Sequence, residues 1–325
     1  MGQQATPRRC GMKAPKASYV VAADVLGGWR DDLLTGKAPV LYPAGAGELA
    51  QIEIGPGRVV LLGGPPGTGK TALAGQLVFD ALRMTPDLRA VVCNVEMPPD
   101  VQLDRQLARL SGVDLDLIHK RQLGAVHADR VDRAFATLEP LAERLAFCKA
   151  PFDLANTAAV ADDFGAAWIT LDYIQRIRPP GTQADRRGSV DATMVWLRQF
   201  ADAGYAVLVV SAVGRGRDKN GKSTYAADAL GLASFKESGE LEYGADDCYL
   251  LAPDKEPGAV TAWHLKSRYG AQRDLKLIFD GAHQRFTPTE PDTSTPPADA
   301  GRLRSALTAL WNRTPAAPDN DGGTE

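Results

Sequence analysis

The segment Gly64-Pro65-Pro66-Gly67-Thr68-Gly69-Lys70-Thr71 brings three glycines, a lysine and two hydroxyls into eight residues. Glycines let successive backbone N–H groups converge on phosphate oxygens, and a helix opening at the lysine adds its dipole. In the spacing GxxxxGK[ST], Lys70 is expected to reach the β- and γ-phosphates of a nucleotide, and the Thr71 hydroxyl to ligate Mg²⁺. Gly64, Pro65, Pro66, Gly67, Thr68, Gly69, Lys70 and Thr71 form the expected cradle. Such a loop needs a second acid. Asp172 closes the apolar run Ala167–Leu171, which puts it at the carboxyl end of a strand, where ligands bind in open α/β sheets. It is the expected partner of Thr71 in the Mg²⁺ shell. Glu96 ends another apolar run. A carboxylate there orients and polarises an attacking water, or is an ordinary surface residue; its own neighbourhood in the sequence leaves both open.

The elements that must carry these residues follow from hydrophobic patterning. RVVLLGG (58–64) reads as a buried strand, and a helix runs from Lys70 to about Met84. LRAVVCNVE (88–96) is a second strand and residues 99–147 are mostly helical. WITLDYIQ (168–175) is a third strand, 189–203 a helix, and YAVLVVSAV (205–213) a fourth strand. Apolar strands alternating with helices imply a mostly parallel sheet with helices on both faces. After residue 240 come shorter runs, DCYLLAP, AVTAWHLKSR, DLKLIFDG and QRFTP. These are expected to extend the sheet edge in antiparallel fashion. Residues 18–35 pattern as a short amphipathic helix with Val21, Val25, Trp29 and Leu33 on its apolar face, interrupted by Gly27-Gly28.

The composition is that of a globular chain: 325 residues, 44% hydrophobic and 24% charged. That excludes a wholly disordered or collagen-like protein. No run reaches the roughly 18 apolar residues of a membrane span, and the basic first seventeen residues lack the apolar core of a secretory signal. Cys10, Cys93, Cys148 and Cys248 are scattered with no CxxC pair, so neither zinc nor a disulfide framework is expected, and a reduced, cytoplasmic compartment fits. The net charge of −3 is matched by the stretch from Phe286 onward, with three basic and six acidic residues, so the rest balances to zero. Within that neutral body, Arg215, Arg217, Lys219 and Lys222 fall in GRGRDKNGK (214–222), and Arg176, Arg178, Arg186 and Arg187 in 176–188. Glycine-rich basic loops after strand ends contact nucleic-acid phosphates without reading bases, or are solvated charge runs; both readings stand.

Beyond these features the chain resembles the DnaB-type replicative helicases. NVEMPPD (94–100) is similar to the family's SLEMP signature, and LARLSGVDLDLIHKRQL (107–123) to the helical segment after it. ITLDYIQRI (169–177) resembles the IDYLQL strand, FKESGELEYGADDCYLL (235–251) the RESG-x-IEQDAD segment, and HLKSRYGAQRDLKLIFDG (264–281) the KQRNG segment with its closing strands. The likeness spans about residues 35–286. It implies a RecA-like P-loop ATPase, using ATP and Mg²⁺, that assembles into a homo-oligomeric, usually hexameric ring around single-stranded DNA. By this resemblance Glu96 is the catalytic glutamate and Asp172 the Walker-B acid. Lys266 and Arg268 reach the γ-phosphate held by the neighbouring subunit. Lys236, Glu237, Ser238 and Gly239 form the DNA-backbone loop, with Lys236 where arginine is usual.

The implied organisation is a flexible basic leader (1–17), a linker helix and loop (18–56), a RecA-like motor domain (57–286) and a disordered, Pro-rich acidic tail (287–325) with a short helix at 301–313. Two departures shape the expectation. The family usually has Ser-Gln after the fourth core strand, the glutamine sensing the γ-phosphate; here Ser211-Ala212 stands there. About 57 residues precede the first core strand, too few for the family's N-terminal helical domain, through which primase is engaged; primase or a loader has no recognisable docking domain here. The expectation is therefore a stand-alone motor half, of plasmid, phage or mobile-element type, involved in DNA replication. Its rival is a RecA-fold regulatory, loader or adaptor protein that binds ATP without unwinding. A small-molecule kinase leaves the basic loops unexplained.

Overall fold

In the computed structural model the described residues are 19–181, 186–214, 216–217, 223–224, 234–235 and 244–289; side chains at 186–188, 190–191, 216–217 and 223–224 are not described. The chain divides into two units, Val40–Ser294, and Met1–Pro39 with Thr295–Glu325.

The larger unit is built on the apolar runs. Strands β1 (Val59–Gly64), β2 (Ala90–Asn94), β3 (Leu145–Phe147), β4 (Trp168–Asp172), β5 (Ala206–Ala212), β8 (Asp247–Pro253), β9 (Ala259–Ser267), β10 (Leu275–Asp280) and β11 (Arg285–Pro288) form, among the described residues, one nine-stranded sheet in the order β11-β10-β9-β8-β1-β5-β4-β2-β3. Two-residue strands β6 (Gly216–Arg217) and β7 (Ser223–Thr224) pair separately. From β8 to β3 neighbours run parallel; β9, β10 and β11 continue antiparallel. The sheet thus has the expected class, with one difference. DCYLLAP is not part of the antiparallel edge alone: β8 lies parallel to β1, with Val60 opposite Asp247, and only its other side pairs antiparallel with β9.

Both faces of β1 are covered, as its uninterrupted apolar run requires. Val60 and Leu62 pack with α2 (Lys70–Met84), α3 (Pro99–Ser111) and α5 (Ala128–Ala142); Val59 and Leu61 pack with α6 (Leu154–Phe164) and α7 (Arg186–Asp202). Fully burying each such side chain is worth roughly 1.5–3 kcal/mol. Leu49, Ile52 and Ile54 are also core residues. Between α3 and α5 lies the short helix α4 (Leu115–His119). Three patterned boundaries shift. β2 stops at Asn94, so Glu96 stands two residues beyond it in a bend; β3 interrupts the helical reading of 99–147; and α6 fills a stretch to which the hydrophobic pattern assigned nothing.

In the smaller unit, α1 (Ala22–Thr35) runs unbroken through Gly27-Gly28 and ends at Gly36 in the left-handed conformation. Val21, Val25, Trp29 and Leu33 are each at least half exposed. The leader 1–17 and the proposed helix 301–313 lie outside the described residues. Among the described residues no helix is long and apolar enough to cross a membrane.

Candidate nucleotide site

β1 delivers the chain into the loop at Gly64 and α2 begins at Lys70, so the predicted cradle sits between a buried strand and a helix N-terminus. Gly67 and Gly69 adopt φ of 82° and 81°, a region where a Cβ is strained. At Gly69 a Cβ would also press into the Phe286 ring. The loop is braced from within: Thr68 Oγ1 donates to the Pro65 carbonyl at 2.9 Å, and Lys70 Nζ to the same oxygen at 2.8 Å. Burial lowers the Lys70 pKa, against the opposing pull of Asp172 and Glu96.

A cleft of about 730 Å³ opens here, lined by Lys70, Thr71, Glu96, Arg105, Asp172 and Ala212 among others. Asp172 is buried at the end of β4. Its pKa is pushed up to about 6, chiefly by burial, against a hydrogen bond from Thr71 and the charges of Lys70 and Arg105. A buried carboxylate beside a threonine hydroxyl is a pair of hard oxygen donors with charge to neutralise. That donor set suits Mg²⁺, which takes one or two protein oxygens and completes its shell with water and phosphate. The pair predicted for the metal, Thr71 and Asp172, therefore fits it.

Asn94 opens the NVEMPPD segment but has no expected role of its own there, yet it organises this end of the sheet. Its Nδ2 donates to Asp172 Oδ2 at 2.9 Å, while its Oδ1 accepts from the N–H groups of Glu96 (2.9 Å) and Met97 (2.8 Å). One amide thus fixes the Asp172 carboxylate and the bend that presents Glu96. Glu96 itself is half exposed, and Arg176 Nη1 stands 3.7 Å away. Arg105, also missed, enters from α3. Its Nη1 donates to Gln284 Oε1 at 2.8 Å, and its buried Nε has no hydrogen-bond partner among the described residues. Burial lowers its pKa, with Asp172 opposing. An arginine on the helix that follows Glu96 is a signal that spacing alone did not single out.

Where the family's glutamine is expected, Ala212 is exposed in the cleft. Gln175 instead brackets this backbone: its Nε2 donates to Ser211 Oγ (2.8 Å) and to the Ala212 carbonyl (3.1 Å), and its Oε1 accepts from Ala212 N–H (3.2 Å).

Lys266 and Arg268 are not in this cleft. Lys266 pairs in register with Cys248 and Arg268 follows Ser267 opposite Asp247, at the start of β8. Because Asp247 lies beside Val60, Arg268 stands near the beginning of β1 while the phosphate loop leaves its end, about 17 Å away at roughly 3.3 Å per residue. Of the residues expected at DNA, Arg215, Lys219, Lys222, Lys236, Glu237, Ser238 and Gly239 lie outside the described residues, and the side chains of Arg186, Arg187 and Arg217 are not described. Phe235, just before Lys236, is buried and packs against Gly63 of β1.

A doubly covered parallel sheet, a glycine-braced phosphate loop and a strand-end aspartate beside Thr71 define a RecA-like P-loop nucleotide-binding fold. Residues 48–288 match the family of DnaB-like helicase C-terminal domains, and the protein belongs to that family. Its fold is that of a replicative helicase-type ATPase. Among solved structures, one described as an ATPase domain is similar, with TM-score 0.70 at 16% identity, covering 83% of this chain and 99% of that one. A DnaB-like replicative helicase, studied for its interactions with primase, is also similar: TM-score 0.70, 18% identity, 84% of this chain and 68% of that one. Comparison with curated proteins returns no match.

Proposed function

We propose that this protein is an ATP-hydrolysing motor that assembles as a ring, hexameric by family analogy, on single-stranded DNA. The observation that carries the reading is the position of Arg268. It lies at the end of the sheet opposite its own phosphate loop, which supports a role at a nucleotide bound by a neighbour rather than by its own chain.

In this reading the backbone N–H groups of 64–71 and Lys70 hold the phosphates. Thr71 and Asp172 hold Mg²⁺, which when bound neutralises charge on the β- and γ-phosphate oxygens. Glu96, presented by Asn94, accepts the proton of the attacking water. Lys266 and Arg268 of a second copy stabilise the charge on the transferred phosphoryl group. The basic loops at 176–188 and 214–222, with Lys236–Gly239, take the DNA backbone, which predicts steep salt dependence and indifference to base sequence. The domain reading is carried forward with it: 18–56 as linker, α1 as a segment whose apolar face docks on another copy, and 57–286 as the motor.

The test is ATP turnover per chain across protein concentration, with and without single-stranded DNA, beside unwinding of a forked duplex. The motor reading expects turnover that rises with concentration, stimulation by DNA, and unwinding. A specific observation favours a second reading, a RecA-fold loader or adaptor: Ala212 supplies no side-chain amide to the cleft. Stimulation without unwinding selects it. Concentration-independent turnover removes the ring.

A further inference from the structure

The seat of Arg268 is built by one residue, Asp246. The backbone N–H of Arg268 donates to the Asp246 carbonyl at 2.9 Å, and its Nη1 lies 2.6 Å from Asp246 Oδ1. Asp246 is completely buried. Its Oδ2 accepts from the Val59 N–H at 2.7 Å and from Arg198 Nη1 at 2.6 Å, and its own N–H donates to the Val59 carbonyl at 2.8 Å. The carboxylate is thereby fixed to the first residue of β1 and shared between two guanidinium groups. The following residue adds a clamp. The ring of Tyr269 lies 4.2 Å from the guanidinium of Arg58, which is itself buried.

This arrangement is more than a surface ion pair. A buried carboxylate must be matched by charge and hydrogen bonds, and here the match is made on Oδ2 by Val59 and Arg198. The contact of Arg268 with Oδ1 is an ion pair without the alignment of a hydrogen bond. It fixes where the guanidinium sits more than how it turns. The Arg268 side chain stays 42% exposed, so the group is presented outward while its base is held. An arginine held in advance loses less freedom when it engages a phosphate.

We infer that Asp246 is a positioning residue for the reaction: it seats Arg268 so that the guanidinium meets the phosphate bound by a neighbouring copy. The inference rests on the ring reading. Asp246 touches no nucleotide and acts only through Arg268, so its effect should vanish when Arg268 is gone.

The experiment measures kcat, KM for ATP, nucleotide affinity, oligomer size and melting temperature for Asp246→Asn, Arg268→Ala and the double variant in the full chain. A misplaced catalytic group costs up to about 10²-fold and a lost trans arginine about 10³-fold or more. Asp246→Asn should therefore lower kcat by about 10–100-fold at nearly unchanged nucleotide affinity and oligomer size. In the Arg268→Ala background it should lower kcat no further. Should the Asn variant fail to fold, Asp246→Glu keeps the charge both arginines neutralise and shifts the carboxylate by one methylene; it should lower kcat less, with the same dependence on Arg268. Multiplicative losses in the double variant, or unchanged kcat in every foldable Asp246 variant while Arg268→Ala is inactive, overturn the seat and spare the ring reading. Full turnover by Arg268→Ala overturns both.

Discussion

The two ends of the parallel strands treat charge in opposite ways. At the carboxyl ends, Lys70, Asp172, Glu96 and Arg105 converge on an open cleft, and burial pushes Asp172 up to about 6 because its neighbours do not fully compensate it. At the opposite end, Asp246 takes hydrogen bonds on Oδ2 from Val59 N–H and Arg198, and an ion pair with Arg268 on Oδ1. The first end has charge left over for phosphate and Mg²⁺; the second has committed its charge to holding an arginine. If the ring reading holds, the difference means that the catalytic set is split within each chain into a receiving half and a donating half.

Removing the main cation of the receiving half should break the comparison most severely. Lys70→Ala is expected to cut turnover by about 10³-fold or more, since even one preorganised donor at developing charge is worth about 10²–10³; steady-state ATPase assays check it. Mixed with Arg268→Ala, some interfaces regain both halves, and measurable turnover should return. A mixture as inactive as its parts would argue against the split. Glu96→Gln comes next: nucleotide affinity kept and kcat down by about 10²-fold, read by binding titration beside single-turnover kinetics.

Asp172→Asn sharpens the comparison through stability. A folded pKa near 6 lies above the ordinary 3.8, so the folded state binds protons more tightly than the unfolded one. Stability from this group is therefore lost as pH rises from about 4 to about 6, amounting to about 3 kcal/mol at neutral pH. The Asn variant should melt higher than the natural chain at pH 8, and the gain should disappear near pH 4, in thermal scans without nucleotide or Mg²⁺. The smallest effect is reserved for Arg176→Leu. Its contact with Glu96 is long and half exposed, and such pairs are worth about 0–1 kcal/mol, so kcat should change less than about fivefold.

The receiving half was the more legible in the sequence. GPPGTGKT after RVVLLGG marks a local chain segment in which strand, loop and helix are consecutive, and α2 begins and ends at the expected residues. Asp172 was readable because an acid closing an apolar run is conspicuous. Asn94, Arg105 and Asp246 were not: Asp172 and Gln284 lie 78 and 179 residues from Asn94 and Arg105, and Asp246 meets Arg268 across the β8–β9 hairpin but Val59 only through the pairing of β8 with β1. β3 is three residues long at a sheet edge, too short to show alternation within the helical pattern around it. DCYLLAP gave its strand but not its place, since nothing in an apolar run tells which neighbour it takes; insertion beside β1 is what positions Arg268.

The last strand of the sheet has a bearing on where this polypeptide tolerates shortening. Gln76 of α2 exchanges a reciprocal pair of bonds with Phe286, Nε2 to its carbonyl at 2.9 Å and Oε1 from its N–H at 2.8 Å. The Phe286 ring backs Gly69, and Thr289 closes on the Lys276 carbonyl through both its N–H (3.0 Å) and its hydroxyl (2.9 Å). A cut at residue 286 would sever this clasp in the middle and leave the wall behind the phosphate loop hanging by one residue. A cut after Thr289 would keep it whole. The shortest fragment that still grips a nucleotide is thus set by a strand whose sequence carries no nucleotide-binding motif at all.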